Sequence, residues 1–415
     1  MTNTFSKLPL KVFSSHSPRF MMNCNILILL SLFFIDCSSY SLEVSLDPLF
    51  KEKKCDKKCM FAAENLTSLT ADTFPKTCGT VCANLRITQE CDLTENQLTS
   101  LFQNMKRLVG RLKVEGTNYT SSKFLAGLEK IECDPSIYGY AIWTDNPELV
   151  ELGLLNLTYV ECREVHATYN PKMTKWNVPN LKKVEEVTYK LKEGLRLNIY
   201  ENSPDFCLTS KEMIDLMNIK GLDLDHIEAK YCDPSFNEKV CNQPKEGCVE
   251  MFGDVEIGED FDFELMKTVE AIYGSLIING TSLEDFSFLE SLMYISQLEQ
   301  GKHPLIVENN LSLVNMTFPK LKKIQGQRTW ESIVIFAIFN NNNEALSERP
   351  RFCTSFKSSI KLMDEKLYIE GKRCSEIKQK TDQEAWLKDF KESKNCASRA
   401  SILLIFFLFC YFGSD

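Results

Sequence analysis

Four cysteines in the first part of the chain have a spacing that could support metal binding. Cys55 and Cys59 form one pair and Cys78 and Cys82 a second, with three residues between the members of each pair. Two such pairs could supply four thiolates to a structural zinc ion. On a secretory route they would instead form disulfides. We favour disulfides, either Cys59–Cys78 with Cys55–Cys82 or the parallel alternative.

Further cysteines are spaced as disulfides of a repeating structure. Cys133 and Cys162 follow two similar segments, so stacked coils would bring them within bonding distance. By position we also expect Cys207 to pair with Cys232, Cys241 with Cys248, and Cys353 with Cys374. The sequence suggests no partner for Cys91 or Cys396.

Residue patterns for catalysis are sparse. The chain has only four histidines, and it lacks the GxSxG, HExxH and phosphate-binding glycine motifs. Glu132 and Glu161 could stack like the paired carboxylates of a carbohydrate-cleaving enzyme, but beside Cys133 and Cys162 they are typical of a coil edge. We therefore expect no catalytic residue, no metal site and no cofactor. The net charge of −9 argues against nucleic-acid binding.

Two apolar segments and a set of glycosylation motifs indicate an extracellular protein. Residues 26–35 follow basic residues and precede small ones, which is typical of a secretory signal peptide, here placed within 1–39. Residues 402–412 are shorter than the ~20 residues of a membrane-spanning helix and resemble a GPI-attachment signal. Its candidate attachment positions are Asn395, Cys396 and Ser398. Asn-x-Ser/Thr motifs occur at Asn65, Asn118, Asn156, Asn279, Asn310 and Asn315.

An internal duplication sets the architecture. Residues 101–131 recur as 265–295 at an offset of 164 residues, and 179–184 recur as 319–324 at an offset of 140, so the first copy carries 24 more residues in its middle. Such a difference is the length of one coil of a leucine-rich solenoid, and such solenoids tolerate the loss of a whole coil. Matched residues include Gly110, Leu112, Val114 and Ile131, which correspond to Gly274, Leu276, Ile278 and Ile295.

The elements that position these residues are short strands and terminal helices. Alternation predicts strands at 111–115, 140–143, 166–169 and 195–199, each with one face inward. Leu98, Leu101, Phe102 and Met105 have helical spacing and are expected to cover one open end of the core. Helix-like stretches at 209–217 and 356–363, bracketed by cysteines, are expected to close the far ends of the two copies.

Several phased segments resemble the receptor L domain. They are Gly110-Arg-Leu-Lys-Val-Glu-Gly116, Phe124-Leu-Ala-Gly-Leu-Glu-Lys-Ile131 and Val178-Pro-Asn-Leu-Lys-Lys-Val184, with counterparts at 274–280, 288–292 and 318–324. The resemblance implies an α/β solenoid of two tandem right-handed β-helical, leucine-rich-repeat-like domains with helical, disulfide-closed caps, as in insulin and EGF receptor ectodomains. It is closest to stand-alone L-domain proteins without a kinase. The long cysteine-rich region of those receptors is absent, because Cys232 and Cys248 are only sixteen positions apart.

The resemblance, the cysteine positions and the charged and apolar segments together suggest domain boundaries. L domain 1 is expected at 78–232 and L domain 2 at 248–374. The remaining boundaries are a cysteine-containing segment at 40–77, a short linker at 233–247, a charged stalk at 375–394 and the carboxyl-terminal hydrophobic signal at 395–415.

The resemblance also suggests a function. We expect a cell-surface or secreted protein that binds an extracellular peptide ligand or receptor ectodomain, as a decoy, co-receptor or modulator of insulin-like or EGF-like signals. The alternative is a structural or adhesion glycoprotein. Solenoid sheets offer broad binding surfaces, and a glycan at Asn279 would cover part of the second domain, which favours the first. Its candidate ligand face consists of Arg111, Lys113, Trp143, His166, Arg196 and Asn198.

Overall fold

The computed structural model describes residues 46–133, 139–185, 194–327, 336–342, 350–359, 367–369 and 371–379, and the single positions 383 and 387. The expected signal peptide and the lipid-attachment candidates Asn395, Cys396 and Ser398 lie outside the described residues. Among the described residues, no helix combines the length and apolar character needed to span a membrane.

Short parallel strands stack into a β-solenoid of about nine turns, which confirms the expected fold class. The strands of the first half are β1 Met60–Phe61, β2 Thr80–Ile87, β3 Arg107–Glu115, β4 Lys130–Glu132, β5 Tyr140–Thr144, β6 Tyr159–Glu161, β7 Glu164–Thr168, β8 Lys183–Val184, β9 Leu195–Tyr200, β10 Cys207–Leu208, β11 Leu222–Ile227 and β12 Lys230–Tyr231. One row, the front sheet, runs β2-β3-β5-β7-β9-β11. A second row, the back sheet, runs β2-β3-β4-β6-β8.

Strand β3 belongs to both sheets because it bends at Gly110. Residues before this glycine pair with β4 and residues after it pair with β5. Gly110 has φ +133°, and a side-chain carbon there would lie 1.9 Å from the carbonyl oxygen of Ala83 in β2. The close approach of two backbones at this corner explains the glycine.

The second half repeats this arrangement, but two separate strands take the place of a bent strand such as β3. They are β13 Val240–Cys241, β14 Glu250–Phe252, β15 Val255–Ile257, β16 Ala271–Tyr273, β17 Leu276–Asn279, β18 Tyr294–Ser296, β19 Leu305–Glu308, β20 Lys323–Gln325, β21 Phe336–Phe339, β22 Leu367–Ile369 and β23 Lys372–Arg373. The back sheet runs β13-β14-β16-β18-β20 and the front sheet runs β15-β17-β19-β21-β22-β23. Strand β13 falls inside the segment expected to be a linker, so this sheet begins before Cys248.

Four helices have described bounds, α1 Asp47–Glu52, α2 Glu95–Phe102, α3 Ser210–Asn218 and α4 Pro350–Ser359, with 3-10 turns at Lys57–Cys59, Ala71–Thr73, Lys123–Leu125 and Phe263–Met266. Residues 374–379 are helical as well. Thr94 with Gln97, and Thr209 with Glu212, form reciprocal capping boxes that satisfy backbone donors at the starts of α2 and α3.

Helix α2 does not cover the open end of the core as we expected. It joins β2 to β3, and the ring of Phe102 lies between those of Phe74, at 5.1 Å, and Phe124, at 6.2 Å. Phe61, Leu66 and Phe74, from the segment before β2, are buried in the same core. Apolar residues of α2 and of the segment before β2 therefore share one core.

Disulfides join neighbouring coils and both ends of the solenoid. The bonded pairs are Cys55–Cys82, Cys59–Cys78, Cys133–Cys162, Cys207–Cys232, Cys241–Cys248 and Cys353–Cys374. The Cα atoms of Cys133 and Cys162 are 4.8 Å apart, which is the spacing of stacked strands. In the described part of the chain, Cys91 is the free cysteine.

A ladder of buried asparagines follows the front sheet of the first half. The side-chain oxygen of Asn146 accepts from the backbone N–H and hydroxyl of Thr117, at 3.0 and 2.7 Å. Asn170 accepts in the same way from the N–H and Nδ2 of Asn146, and Asn202 accepts from those of Asn170. Each rung ties one coil to the next where the strand ends.

The second half has the same ladder, and it changes the interpretation of one glycosylation motif. The side-chain oxygen of Asn310 accepts a hydrogen bond from the N–H of Thr281. The N–H of Asn310 donates to the Oδ1 of Asn341 at 3.0 Å. Its Nδ2 lies within 3.1 Å of the carbonyl oxygens of Ile278 and Glu308 and the Oδ1 of Asn341. The side chain of Asn310 is fully buried, so the folded protein has no room for a glycan there, contrary to expectation.

The two halves are packed directly against each other. The hydroxyl of Tyr231, after α3, donates to the Oγ of Ser296 in β18 at 2.7 Å, and burial raises the pKa of this tyrosine above its usual range. The N–H of Ile227 donates to the Oε1 of Gln327 at 2.9 Å. Tyr273 and Tyr294 of the second back sheet are buried in the core of the first half. The back sheet of the second half is therefore covered by the last coil of the first.

Candidate binding face

The outward side of the first front sheet presents two rows of aligned side chains. Parallel register places His166 beside Ile142 on one strand and Asn198 on the next. Glu164 lies beside Tyr140 and Arg196 in the same way. Because side chains alternate along a strand, the residues between these rows point into the core.

Three of the six candidate ligand-face residues are buried. Trp143 points inward, is 1% exposed, and its Nε1 donates to the Oγ of Ser122 at 3.0 Å. Our prediction that Trp143 faces outward was therefore wrong. Arg111 and Asn198 are 6% and 5% exposed, and Arg111 lies over the ring of Tyr140 at 5.9 Å.

Lys113, His166 and Arg196 remain partly accessible, and each contacts a carboxylate. Lys113 Nζ lies 2.7 Å from Glu115. The carboxylate of Glu164 is 2.7 Å from His166 Nε2 and 3.4 Å from Arg196. The hydrogen bond from His166, with the added charge of Arg196, holds the pKa of Glu164 below its usual range despite partial burial. This face therefore has fixed, alternating charges that could orient a polar ligand.

A second charged cluster occupies the back sheet of the first domain, and the sequence analysis missed its main cation. Lys53 Nζ lies 2.8 Å from Glu161 and 3.5 Å from Glu132, which are neighbours in register. The guanidinium of Arg107 binds Glu132 through two nitrogens, at 2.8 and 2.5 Å. The lysine-rich run at 51–58 was the available signal, but nothing in it distinguishes Lys53 from the other lysines.

The charges around Glu132 differ from those expected of a general acid in a pair of stacked glutamates. Burial works to raise the pKa of Glu132, but Arg107 and Lys53 outweigh it and hold the pKa below its usual range. Burial works to lower the pKa of Lys53, and its two carboxylate partners outweigh that effect too. A glycosidase pair needs one protonated carboxyl group. Glu132 does not have the raised pKa of such an acid. Lys53 directly follows α1, so its contacts tie that helix to the sheet.

We predict that Glu132→Gln lowers the free energy of unfolding by about 2 kcal/mol at pH 7, because a charge-assisted bidentate pair becomes a neutral contact. The folded pKa of Glu132 lies below the unfolded value, so its stabilisation is complete above the unfolded pKa and is lost as pH falls through the folded one. The deficit of the variant should therefore shrink below about pH 4. Urea unfolding at several pH values measures it.

Glu129→Gln is the matched control for this prediction. Glu129 is half exposed and lies 3.6 Å from the exposed Lys106. Such surface pairs contribute about 0–1 kcal/mol. A deficit for Glu132→Gln that stays the same from neutral to acid pH would contradict the assigned role.

The front sheet of the second domain differs in chemistry. A groove of about 640 Å³ lies on its outward side. The floor carries Ile277, Ile306 and Phe339, and Phe339 is 41% exposed. Glu256, Glu308, His303 and Asn279 line the same groove.

The void found in the described core of the first domain is too small for an organic ligand. The core of the first domain holds a void of about 20 Å³ lined by apolar side chains such as Trp143, Leu154 and Trp176. A void of this size admits about one water molecule. Among the described residues, no group of three or more His, Cys, Asp or Glu side chains is arranged to hold a metal ion.

The remaining glycosylation motifs are distributed unevenly over the surface. Asn118, Asn156, Asn279 and Asn315 are exposed and Asn65 is half-buried. Asn279 ends β17 of the second front sheet. The strands of the first front sheet contain no such motif. Attached glycans would therefore start outside the strands of that sheet.

Comparison with known proteins agrees with this architecture. The family description Receptor L domain matches the chain at residues 77–183 and again at 247–360, which together make up more than half of it. A search of curated proteins finds no match. The receptor L domain and the disulfide-rich fold together suggest an extracellular ligand-binding protein. With two matching segments in one solenoid, this chain belongs to the receptor L domain family.

Proposed function

We propose that this chain is an extracellular binding protein whose first L domain captures a peptide ligand or a receptor ectodomain on its front sheet. The observation that carries the proposal is the row of fixed polar side chains around Glu164, His166 and Arg196. Charged groups that are already held in place lose little freedom on binding, which favours specific recognition.

The other sheets are less suitable as binding surfaces, which supports the choice of the first front sheet. The second back sheet is packed against the first domain through Tyr231 and Ser296. The first back sheet is crossed by α1 and by Lys53. The second front sheet carries the motif at Asn279. The first front sheet is the remaining broad strand surface in the described part of the chain.

For the finer role we propose a decoy, co-receptor or modulator of insulin-like or EGF-like peptide signals. The resemblance to insulin and EGF receptor ectodomains supports this choice. No GxSxG, HExxH or phosphate-binding glycine motif is present in the sequence, and we propose that the chain acts by binding alone.

Binding of peptide probes tests the proposed face. The secreted chain would be immobilised and exposed to a panel of insulin-like and EGF-like peptides, and peptides retained from conditioned medium would be identified by mass spectrometry. We expect Lys113→Glu and His166→Ala each to weaken binding of a retained peptide about tenfold, equivalent to about 1.4 kcal/mol.

Lys175→Glu is the control for these variants, because Lys175 is exposed outside the front sheet. If all three variants bound a retained peptide equally, the face would be wrongly assigned. If the chain retained no peptide or receptor ectodomain, a structural or adhesion role would be the better description.

We also propose that residues 1–39 direct secretion and that Asn395, Cys396 or Ser398 receives a GPI anchor, on the sequence pattern alone. Phosphatidylinositol-specific phospholipase C should then release the full chain from the surface of expressing cells. A surface population that resists the enzyme, or protein found in the medium without treatment, would contradict the anchor.

A further inference from the structure

The groove on the second front sheet leaves apolar side chains in contact with solvent. Ile277 and Ile306 are aligned on neighbouring strands, and Phe339 lies on the next one. Covering such a floor would remove its apolar surface from water, which is favourable. A groove of this kind therefore calls for an occupant, and its lining residues include one to which a glycan could be attached.

We propose that the first sugars of an N-linked glycan on Asn279 pack into this groove and cover its apolar floor. The proposal rests on the extracellular route of the proposed function, because only that route brings the chain to the glycosylation machinery. It does not depend on which ligand the first domain binds.

Asn279 is placed and oriented for this attachment. It is exposed, it lines the groove, and it begins the motif Asn279-Gly280-Thr281. Its Oδ1 accepts a hydrogen bond from the Nδ2 of Asn309 at 2.9 Å. N-glycosylation replaces a hydrogen on Nδ2 and leaves the oxygen in place, so this bond would survive and fix the direction of the amide. Asn310 differs because its Nδ2 is enclosed by acceptors.

The register brings the floor within reach of the sugars. Asn279 lies opposite Glu308, and Glu308 lies opposite Phe339. Two strand spacings separate Asn279 from Phe339, or roughly 10 Å. The first two sugars of a glycan, laid across the strands, span about that distance and reach the aromatic ring.

The groove has the chemistry that suits a sugar. Pyranose rings have apolar C–H faces, which pack on aliphatic and aromatic side chains such as Ile306 and Phe339. Their hydroxyl groups donate to carboxylates, which accept only. Glu256 and Glu308 border the floor, and within the described residues neither carboxylate has an ion-pair partner. A groove with an apolar floor and a few polar groups at its rim is typical of a small-ligand site.

A glycan packed against the protein is a poor substrate for enzymes that must bind its sugars in order to trim or release it. For the full chain secreted by animal cells, glycopeptide mass spectrometry should find less-processed, mannose-rich sugars at Asn279 than at Asn118. On the folded protein, peptide N-glycosidase should release the Asn279 glycan about tenfold more slowly than the Asn118 glycan, which corresponds to a contact of about 1.4 kcal/mol.

Substitution of the floor should remove the difference. Ile306→Ser and Phe339→Ser are expected to bring the release rate and the processing at Asn279 to those at Asn118. Leu311→Ser is the control, because Leu311 is 71% exposed in the same domain and does not line the groove. The rate comparison within the wild-type protein stands even if a floor variant fails to fold.

Equal release and equal processing at Asn279 and Asn118 in the wild type would overturn the proposal. An empty Asn279 on a chain that carries a glycan at Asn118 would overturn it as well, while leaving the proposed function intact. A secreted chain with no glycan at either position would overturn the groove proposal, and a chain that stays unglycosylated inside the expressing cells would overturn the extracellular route as well.

Discussion

Gly110→Ala is expected to destabilise the first domain by more than about 4 kcal/mol, which is an exceptional value for one methyl group. The added carbon would lie 1.9 Å from the carbonyl oxygen of Ala83 and 2.8 Å from its carbonyl carbon. Both are backbone atoms of the paired strand, so neither can turn aside as a flexible side chain would. Relief requires β2 and β3 to separate at the corner that joins the front and back sheets.

Gly116→Ala is the matched control, since Gly116 also has a positive φ, +64°, at the end of the same strand. The nearest atom to an added carbon there is the Cβ of Gln89 at 3.7 Å. Only the conformational cost of about 1–2 kcal/mol applies. Urea unfolding of the secreted, oxidised proteins measures both, and equal losses for the two variants would show that backbone crowding at Gly110 has been misjudged.

Asn170→Ala is expected to lower the free energy of unfolding by about 4 kcal/mol, because several buried groups lose their partners together. The side-chain oxygen of Asn170 accepts from the N–H and the Nδ2 of Asn146, at 3.1 and 3.0 Å. Its Nδ2 donates to the carbonyl oxygen of Trp143 and to the Oδ1 of Asn202, both at 3.1 Å. Alanine removes all four bonds, so the Nδ2 of Asn146 keeps only the carbonyl oxygen of Val114 and the Oδ1 of Asn202 keeps only the backbone N–H of residue 170.

Asn180→Ala separates the ladder from the loss of an ordinary side-chain hydrogen bond. Asn180 is exposed, and its Nδ2 donates once, to the carbonyl oxygen of Leu155 at 2.7 Å. Water replaces that bond on substitution, so we expect a change within about 1 kcal/mol. Thermal and urea unfolding would decide the matter: if the two alanine variants were equally stable, the ladder would contribute no cooperativity.

The repeat of glycines and strand hydrophobics was sufficient to predict the fold. Gly110 and Gly274 sit at equivalent corners, and an added carbon at Gly274 would meet the carbonyl oxygen of Gly253 at 2.2 Å. The same close backbone approach occurs at this corner in both copies, so both copies need a glycine there. The sequence therefore shows this constraint twice. The spacing of Cys133 and Cys162 carried equivalent information about adjacent coils.

Side-chain direction was harder to predict in short strands. Strand β5 contains aromatic residues at both Tyr140 and Trp143, three positions apart, so they cannot share a face. The sequence does not say which of the two lies inside. The register with β3 and β7 decides it, because Ala141 and Trp143 align with the inward residues of both neighbours. A shift of one residue would exchange the faces.

The glycosylation motif at Asn310 shows the same limit in another form. Asn310 and Asn315 each begin a complete Asn-x-Ser/Thr motif. However, Asn310 is a buried rung of the second ladder, whereas Asn315 is exposed. A motif describes neighbours along the chain, whereas accessibility depends on residues about 30 positions away, such as Asn341.

By itself, the sequence determined the two stacked copies, the disulfides between equivalent coil positions and the lack of familiar catalytic motifs, because those features depend on periodic spacing along the chain. Only the tertiary structure decided how the amino-terminal cysteines pair, that Lys53 ties α1 to the back sheet, and which sheets are covered and which are free. The physical reason is that these features depend on contacts between residues far apart in the chain. Only folding sets the distances and burial that govern them.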